Sequence, residues 1–229
     1  MTHTAKTRRG TLNRTLLLPV VMVVLAVSLA ACSGVPGVYV VEKAGSPAAG
    51  AGGGKKFDAT SYADGIWASK VVPAAQKGAV DAATLLPALR ADQKGASARY
   101  GKQAGAGSPY SFLIKGTGTV TGVTSGNAVG SVQLDVPGVG KTDVNLAAGP
   151  AFVGTAVRDA VGFIDFSQFT NQIDYADAAT ALNAKVKATV LRGVDLNSIK
   201  GKKVTFTGAF QLLSSASVMI TPITLEVAS

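Results

Sequence analysis

The sequence predicts an α+β protein in which a small helical segment precedes a closed antiparallel β-barrel. Apolar residues recur at helical spacing over residues 57–107, and the spacing changes to that of strands from about residue 108 onward. One further helical stretch separates the later strands. An α+β sandwich without closure is the alternative that the same pattern allows.

The first 31 residues are typical of an export signal. Four basic residues and no acidic one precede the apolar run 15–31, which is too short and too cleanly flanked to favour a membrane-spanning helix. The run ends in Leu29-Ala30-Ala31-Cys32, which resembles the lipobox of bacterial lipoproteins. We therefore predict a lipoprotein signal peptide over 1–31 and lipidation of Cys32, with an uncleaved signal anchor as the alternative.

This signal predicts an exported protein that is lipid-anchored to the cell membrane or the outer membrane and faces the periplasm or the cell exterior. The Sec and twin-arginine export routes both remain open. Residues 32–56 are predicted to form a flexible tether, because residues 44–54 are rich in Ala and Gly and lack periodicity.

Processing of the signal would remove most of the usual catalytic chemistry. His3 is the only histidine and lies in the predicted signal peptide, while Cys32 is the only cysteine. The mature chain would have no imidazole base, free thiol or disulfide, which excludes Ser-His-Asp, Cys-His and His- or Cys-ligated zinc sites. We expect no cofactor and no metal site.

The charge of the chain does not indicate a nucleic-acid partner. Removing the four basic residues of the signal from the 22 Lys and Arg leaves a net charge of +5 against 13 Asp and Glu. These basic residues are dispersed rather than gathered in one patch with aromatic platforms. A solvated surface near an anionic membrane is the simpler interpretation.

Residues 57–107 are predicted to form the helical segment. Thr60-Ser61 offers an N-cap for a first helix, in which Trp67 is expected to be a core residue. Pro73 is expected to end or kink this helix. A second helix is predicted to begin near Asp81.

Residues 108–229 are predicted to form the barrel domain. Its predicted strands cover residues 110–123, 128–136, 141–146, 203–212 and 218–227. A helix over 177–191 separates the third strand from the fourth. Three strands, a helix and two strands is the order of an OB-fold barrel, and closure would remove exposed strand edges.

The densest polar cluster lies before and at the start of this helix, interleaved with three phenylalanines. Its candidate ligand- or partner-contact residues are Arg158, Asp159, Asn171, Gln172, Asp174 and Tyr175. Such side chains suit hydrogen bonding and stacking against a sugar, and they equally suit a structural network in which Asp174 or Asp177 caps the helix. Asp159 and Asp174 would be the carboxylate pair of a glycosidase, but the sequence does not fix their separation.

Several stretches together resemble the predicted periplasmic lipoproteins of domain of unknown function 2291. They are residues 62–73, 110–120, 154–159, 169–177, 182–183 and 201–210. The resemblance covers about residues 57–227 and implies no enzymatic activity or established binding residue. It does imply a functional association, because members are typically encoded beside sugar ABC importers of the ribose or xylose type.

On this resemblance we expect a non-enzymatic accessory lipoprotein of a carbohydrate ABC uptake system. Its expected partners are the membrane, through lipidated Cys32, and either subunits of the transporter or a small sugar. A carboxylate-dependent glycan hydrolase and an envelope structural lipoprotein are the alternatives.

Overall fold

The computed structural model describes residues 56–125 and 129–228. The described helices are α1 (Ala59–Ile66), α2 (Val72–Gly78), α3 (Ala82–Ala91), α4 (Gln93–Tyr100), α5 (Ala156–Ala160) and α6 (Gln172–Lys185). The described strands are β1 (Val80–Asp81), β2 (Ser111–Thr124), β3 (Ser131–Asp135), β4 (Asp143–Ala147), β5 (Lys203–Gln211) and β6 (Ser217–Val227). The predicted signal peptide, Cys32 and all but the last residue of the predicted tether lie outside the described residues.

The first helix is capped by Asp58, so the predicted cap at Thr60-Ser61 is wrong. The Asp58 carboxylate accepts hydrogen bonds from the Ser61 amide at 3.0 Å and from the Ser61 hydroxyl at 2.7 Å. These bonds hold the pKa of Asp58 below its usual value. Ser61 therefore donates to the cap instead of forming it, and an anionic cap also suits the positive end of the helix dipole.

Pro73 does not stop the helical run. A π-helical turn, Trp67–Val71, follows α1, and α2 then begins with Pro73 in its first turn. A proline is tolerated there because the amide it lacks would have no partner within the helix. Trp67 is buried, as its spacing predicts.

The second predicted helix is α3, which begins beside Asp81 as expected, and the structure assigns its cap to Asp81. The Asp81 carboxylate accepts a hydrogen bond from the Ala83 amide at 2.9 Å. Leu85, Leu86 and Leu89 are fully buried against the sheet. This helix supplies three leucines to the larger core, which also contains Leu134 and Leu146 from the sheet.

The strands form one six-stranded sheet in the order β1-β2-β3-β4-β6-β5. The long strand β2 also pairs with β5, from Ser111 opposite Gln211 to Thr119 opposite Lys203, so the pairings return to β2. Two pairings are parallel, β1 with β2 and β4 with β6, and the prediction of a purely antiparallel sheet is wrong in this respect. Parallel neighbours need a long crossover, which the segment with α5 and α6 provides between β4 and β6.

Two buried apolar clusters lie on opposite faces of the strands, as the alternation of side chains requires. On one face Phe112 and Phe210 stack with ring centroids 5.1 Å apart and pack with the leucines of α3. On the other face Leu113 and Ala209 pack against α1, α2, α5 and α6. The predicted helix 177–191 corresponds to α6 and a π-helical turn, Val186–Leu191, and it covers this second face.

Within residues 56–125 and 129–228, every helix is too short or too polar to cross a membrane.

Candidate functional site

The predicted polar cluster divides into a buried group and an exposed group. Arg158 and Asp159 lie in the short helix α5 and are 6% and 7% exposed. The Arg158 Nε donates to Asp159 Oδ1 at 2.7 Å, which forms a buried ion pair between adjacent residues. A buried pair of this kind persists because each charge neutralises the other where water cannot.

Tyr175 covers the other side of the Arg158 guanidinium. The Arg158 Cζ lies 3.5 Å from the centroid of the Tyr175 ring, and Nη1 donates to the Tyr175 carbonyl at 3.0 Å. This cation–π contact and the hydrogen bond fix the start of α6 against α5. The Arg158 guanidinium therefore has intramolecular partners both over its face and along its N–H edge.

The Tyr175 hydroxyl is buried and makes no hydrogen bond within 3.5 Å to a described residue, although the Asp159 carboxylate is near enough to affect its pKa. Burial raises the pKa of Tyr175; the Arg158 charge opposes this shift, while Asp159 and Asp165 add to it. The phenol is thus held neutral in an environment that disfavours the phenolate.

Two residues outside the predicted cluster complete the buried network. The Thr155 hydroxyl donates to Asp159 Oδ2 at 2.5 Å, and the Gln211 amide donates to Thr155 Oγ1 at 3.0 Å and to Asp159 Oδ2 at 3.4 Å. Thr155 is the residue just before α5, a position where polar caps are common, but Gln211 ends β5 far along the chain. Only the fold brings Gln211 to this network.

Asn171 and Asp174 form a helix cap rather than an open polar site. Asn171 Oδ1 accepts from the Asp174 amide at 2.9 Å, and Asn171 Nδ2 donates to Asp174 Oδ2 at 3.1 Å. The predicted structural alternative placed the cap on Asp174 or Asp177, but Asn171 fills that position. Gln172 is exposed and makes no side-chain hydrogen bond to any residue that the structure describes.

Aromatic rings link this region to the beginning of the described chain. Phe169 lies 5.4 Å from Phe57, 5.4 Å from Tyr62 and 5.2 Å from Tyr175, measured between ring centroids. Phe166 packs edge-on against Tyr175 at 5.6 Å. Edge and tilted arrangements are those that aromatic quadrupoles favour, so these rings act as a packed support.

Two apolar side chains around the start of α6 remain open to solvent. Phe166 is 43% exposed and Ile173 is 72% exposed. Together with the exposed Gln172 they define the α6-start surface, in which Phe166 packs on Tyr175 of the aromatic support. Sequence reasoning treated the phenylalanines as a group and did not single out Ile173.

The predicted carboxylate pair does not occupy a common open site. Asp159 is buried among Arg158, Thr155 and Gln211, whereas Asp174 is partly exposed on the first turn of α6. Four grooves of about 340–570 Å³ on the described surface have no lining residue from the predicted cluster. Within the described part of the chain, no three His, Cys, Asp or Glu side chains are grouped as metal ligands.

Comparison with known proteins identifies one family and one fold. The family model described as predicted periplasmic lipoprotein (DUF2291) matches residues 22–226. No curated protein sequence matches the chain.

Among solved structures, an OB-fold protein from Thermotoga maritima MSB8 is similar to this chain. The TM-score is 0.62 and the sequence identity 23%, over 76% of this chain and 100% of that one. At this identity the likeness concerns the fold alone. It agrees with the predicted OB-fold order of three strands, a helix and two strands, preceded here by helices α1–α4.

Proposed function

Because the chain belongs to the family of predicted periplasmic lipoproteins (DUF2291), we propose that it acts outside the cytoplasm as a non-enzymatic accessory of a carbohydrate ABC uptake system. Cys32 would carry the lipid that holds it to the membrane. The carbohydrate part of the proposal rests on the importers beside which such lipoproteins are typically encoded.

We propose that this accessory role operates through contact with a protein of the uptake system. The observation that carries this choice is the exposure of two apolar side chains around the start of α6, Ile173 and Phe166, the latter packed on Tyr175. Exposed apolar and aromatic residues backed by a fixed scaffold are typical centres of protein–protein interfaces.

Direct sugar binding is the weaker form of the proposal. The polar side chains that would contact a sugar are engaged within the chain, because Arg158 and Asp159 pair with each other and Asn171 caps α6. A bound sugar would have to replace these contacts, and the buried charges would then lose their partners. A protein partner can dock on the α6-start surface without disturbing them.

The closed ring of pairings supports a finer assignment of the fold. Strands β2, β3, β4, β6 and β5 pair in sequence and return to β2. We take this ring as an OB-like barrel, in which the helices α5 and α6 cover one outer face. The α6-start surface would then project from the side of the barrel, away from the larger core.

Copurification from native membranes tests the proposal. The tagged lipoprotein is isolated in mild detergent, and co-isolated subunits of carbohydrate ABC importers are quantified by mass spectrometry. We expect these subunits with the wild-type chain and at least about tenfold less with the double variant Phe166→Ser/Ile173→Ser, since interface anchors cost 2 kcal/mol or more each.

The matched control is Val153→Ser/Leu213→Ser, which removes two exposed apolar side chains elsewhere on the surface. Equal recovery with both double variants would contradict the proposed contact surface. Absence of importer subunits from the wild-type preparation would contradict the accessory role itself. A glycan hydrolysis that saturates and is lost in Asp174→Asn would favour the hydrolase instead.

A further inference from the structure

A second feature of the described surface is an apolar groove at the end of α6. It has a volume of about 570 Å³ and opens to solvent. Its walls include small and apolar residues from three segments: Gly149, Pro150, Ala184, Ala188, Leu191 and Leu196. We refer to it as the α6-end groove. It shares no residue with the α6-start surface.

The π-helical turn shapes one wall of this groove. Across Val186–Leu191 the helix widens, and Lys187, Ala188 and Leu191 line the groove while Val186 packs into the buried cluster behind it. The alanines at positions 184 and 188 project little from the helix, so this wall leaves room for an extended ligand that lies along the helix. π-Helical turns are uncommon and often occur where a helix is adapted to a ligand.

Two cationic side chains, Lys187 and Arg192, also line the groove. The Lys187 Nζ donates to the Pro150 carbonyl at 3.3 Å, which holds the ammonium at the edge of the apolar walls. The ion pairs of the described residues are Arg158 with Asp159 and Lys185 with Asp64, so neither groove cation has a carboxylate within 4.0 Å there. An apolar trough with two unneutralised cations is complementary to a molecule that is apolar along its length and anionic at one end.

We propose that the α6-end groove binds a fatty acid, with the acyl chain along the apolar walls and the carboxylate between Lys187 and Arg192. A sugar would find few hydrogen-bonding groups in these walls, and a neutral hydrocarbon would leave both cations without a counter-charge. This proposal does not depend on the importer contact proposed above. Laurate binding is measured on the purified chain alone, so either proposal can fail without the other.

Calorimetric titration with laurate below its micelle concentration tests the site. The protein is the chain from residue 32 onward with Cys32→Ser, so that no attached lipid competes. We expect saturable binding of one laurate per chain. Shorter acids should bind more weakly, by up to about fourfold per methylene removed. Dodecyltrimethylammonium, which has the same chain length and the opposite charge, should not bind.

Charge variants distinguish laurate binding in the groove from a general attraction of laurate to surface cations. We expect Lys187→Gln/Arg192→Gln to weaken laurate binding at least about tenfold, while Lys200→Gln/Lys202→Gln, which removes the same charge elsewhere, leaves it unchanged. Lys187→Arg/Arg192→Lys keeps both charges and should retain binding. Since cations in the last turn also suit the helix dipole, melting temperatures are measured for every variant.

Three results would overturn the proposal. They are the absence of saturable laurate binding, equal weakening in the groove and control double variants, and attraction to anionic vesicles without binding of monomeric laurate. Ala188→Phe provides an independent check, because it fills the groove without changing charge. Retained laurate binding in a folded Ala188→Phe chain would also overturn the proposal.

Discussion

Arg158 combines three interactions in one buried side chain: an ion pair with Asp159, a hydrogen bond to a carbonyl and a cation–π contact with Tyr175. Removing one member of a buried pair leaves the other charge without compensation, which costs far more than the pair itself contributes. The polar residues that the sequence brought to attention therefore have a definite structural role, whatever they contact beyond the chain.

Replacement of Asp159 by Asn should destabilise the protein by about 3 kcal/mol, because the Arg158 charge stays buried and loses its counter-ion. Urea unfolding measures this free energy. Asp177→Asn, which removes an exposed carboxylate from α6, should change the stability by less than about 0.5 kcal/mol. Equal midpoints for both variants would show that the ion pair does not stabilise the fold.

Replacement of Tyr175 by Phe should be neutral or slightly stabilising, by up to about 1 kcal/mol. It removes a buried hydroxyl without a described partner and keeps the ring over Arg158. Urea unfolding at neutral pH checks this. A loss of more than about 1 kcal/mol would reveal a hydrogen bond at the hydroxyl.

The Tyr175→Phe variant also tests how the stability of the protein depends on pH. Burial raises the pKa of Tyr175 above its usual value, so the folded state favours the neutral phenol. The associated stability is present below about pH 10 and is lost as the pH rises through the folded-state pKa. Stability should therefore fall less steeply above about pH 10 in Tyr175→Phe than in the wild-type chain.

Sequence reasoning at the residue scale identified polar side chains but not their partners. Arg158 and Asp159 are adjacent, so their proximity could be read directly. The contribution of Gln211 could not, because it comes from a strand 52 residues further along. Burial of the charged pair was equally hidden, since α5 has only five residues, too few for a periodicity to show which side faces the core.

Helix α6 begins at a cap that the structure assigns to Asn171. Asn171→Ala should destabilise the protein by about 1 kcal/mol, because the Asp174 amide loses its acceptor. Gln172→Ala, at the neighbouring exposed position, should have an effect below about 0.5 kcal/mol. Urea unfolding distinguishes the two. Asn171→Ser should recover most of the loss, and failure to recover it would contradict a capping role.

Strands β5 and β6 meet closely at a bulge beside Gly208. A Cβ at this position would lie 2.5 Å from Ile220 Cγ2 and 2.6 Å from the Thr221 carbonyl oxygen. Gly208→Ala should therefore destabilise the protein by about 2 kcal/mol through overpacking. Gly193→Ala has open space around its Cβ and serves as the control in thermal melting. A tolerated Gly208→Ala would contradict the close approach of Ile220 and Thr221 to this position.

The positions of helices and strands could be predicted well where the pattern of apolar residues extended over many residues. The predicted strand 203–212 is observed as Lys203–Gln211, and 218–227 as Ser217–Val227. Helix ends depend on a few local hydrogen bonds, and the predicted cap at Thr60-Ser61 therefore missed Asp58 by two residues. The parallel pairing of β4 with β6 depends on the path of a long connection, and strand periodicity carries no information about it.

At the scale of the whole molecule, the sheet separates two apolar cores. Helix α3 contributes to one face, and α1, α2, α5 and α6 cover the other. The sequence showed the order of the elements and the presence of helices before the sheet. It could not show which helix packs on which face, because both α3 and α6 carry an apolar stripe compatible with either.

Site-specific photo-crosslinking in living cells tests the central claim, that the α6-start surface contacts the uptake system. A photoreactive residue is placed at position 173, which is 72% exposed, or, as a control, at position 213, which is 87% exposed. The account predicts adducts with a carbohydrate importer subunit from position 173 and none from position 213. Adducts from both positions alike, or no importer adduct from position 173, would contradict it.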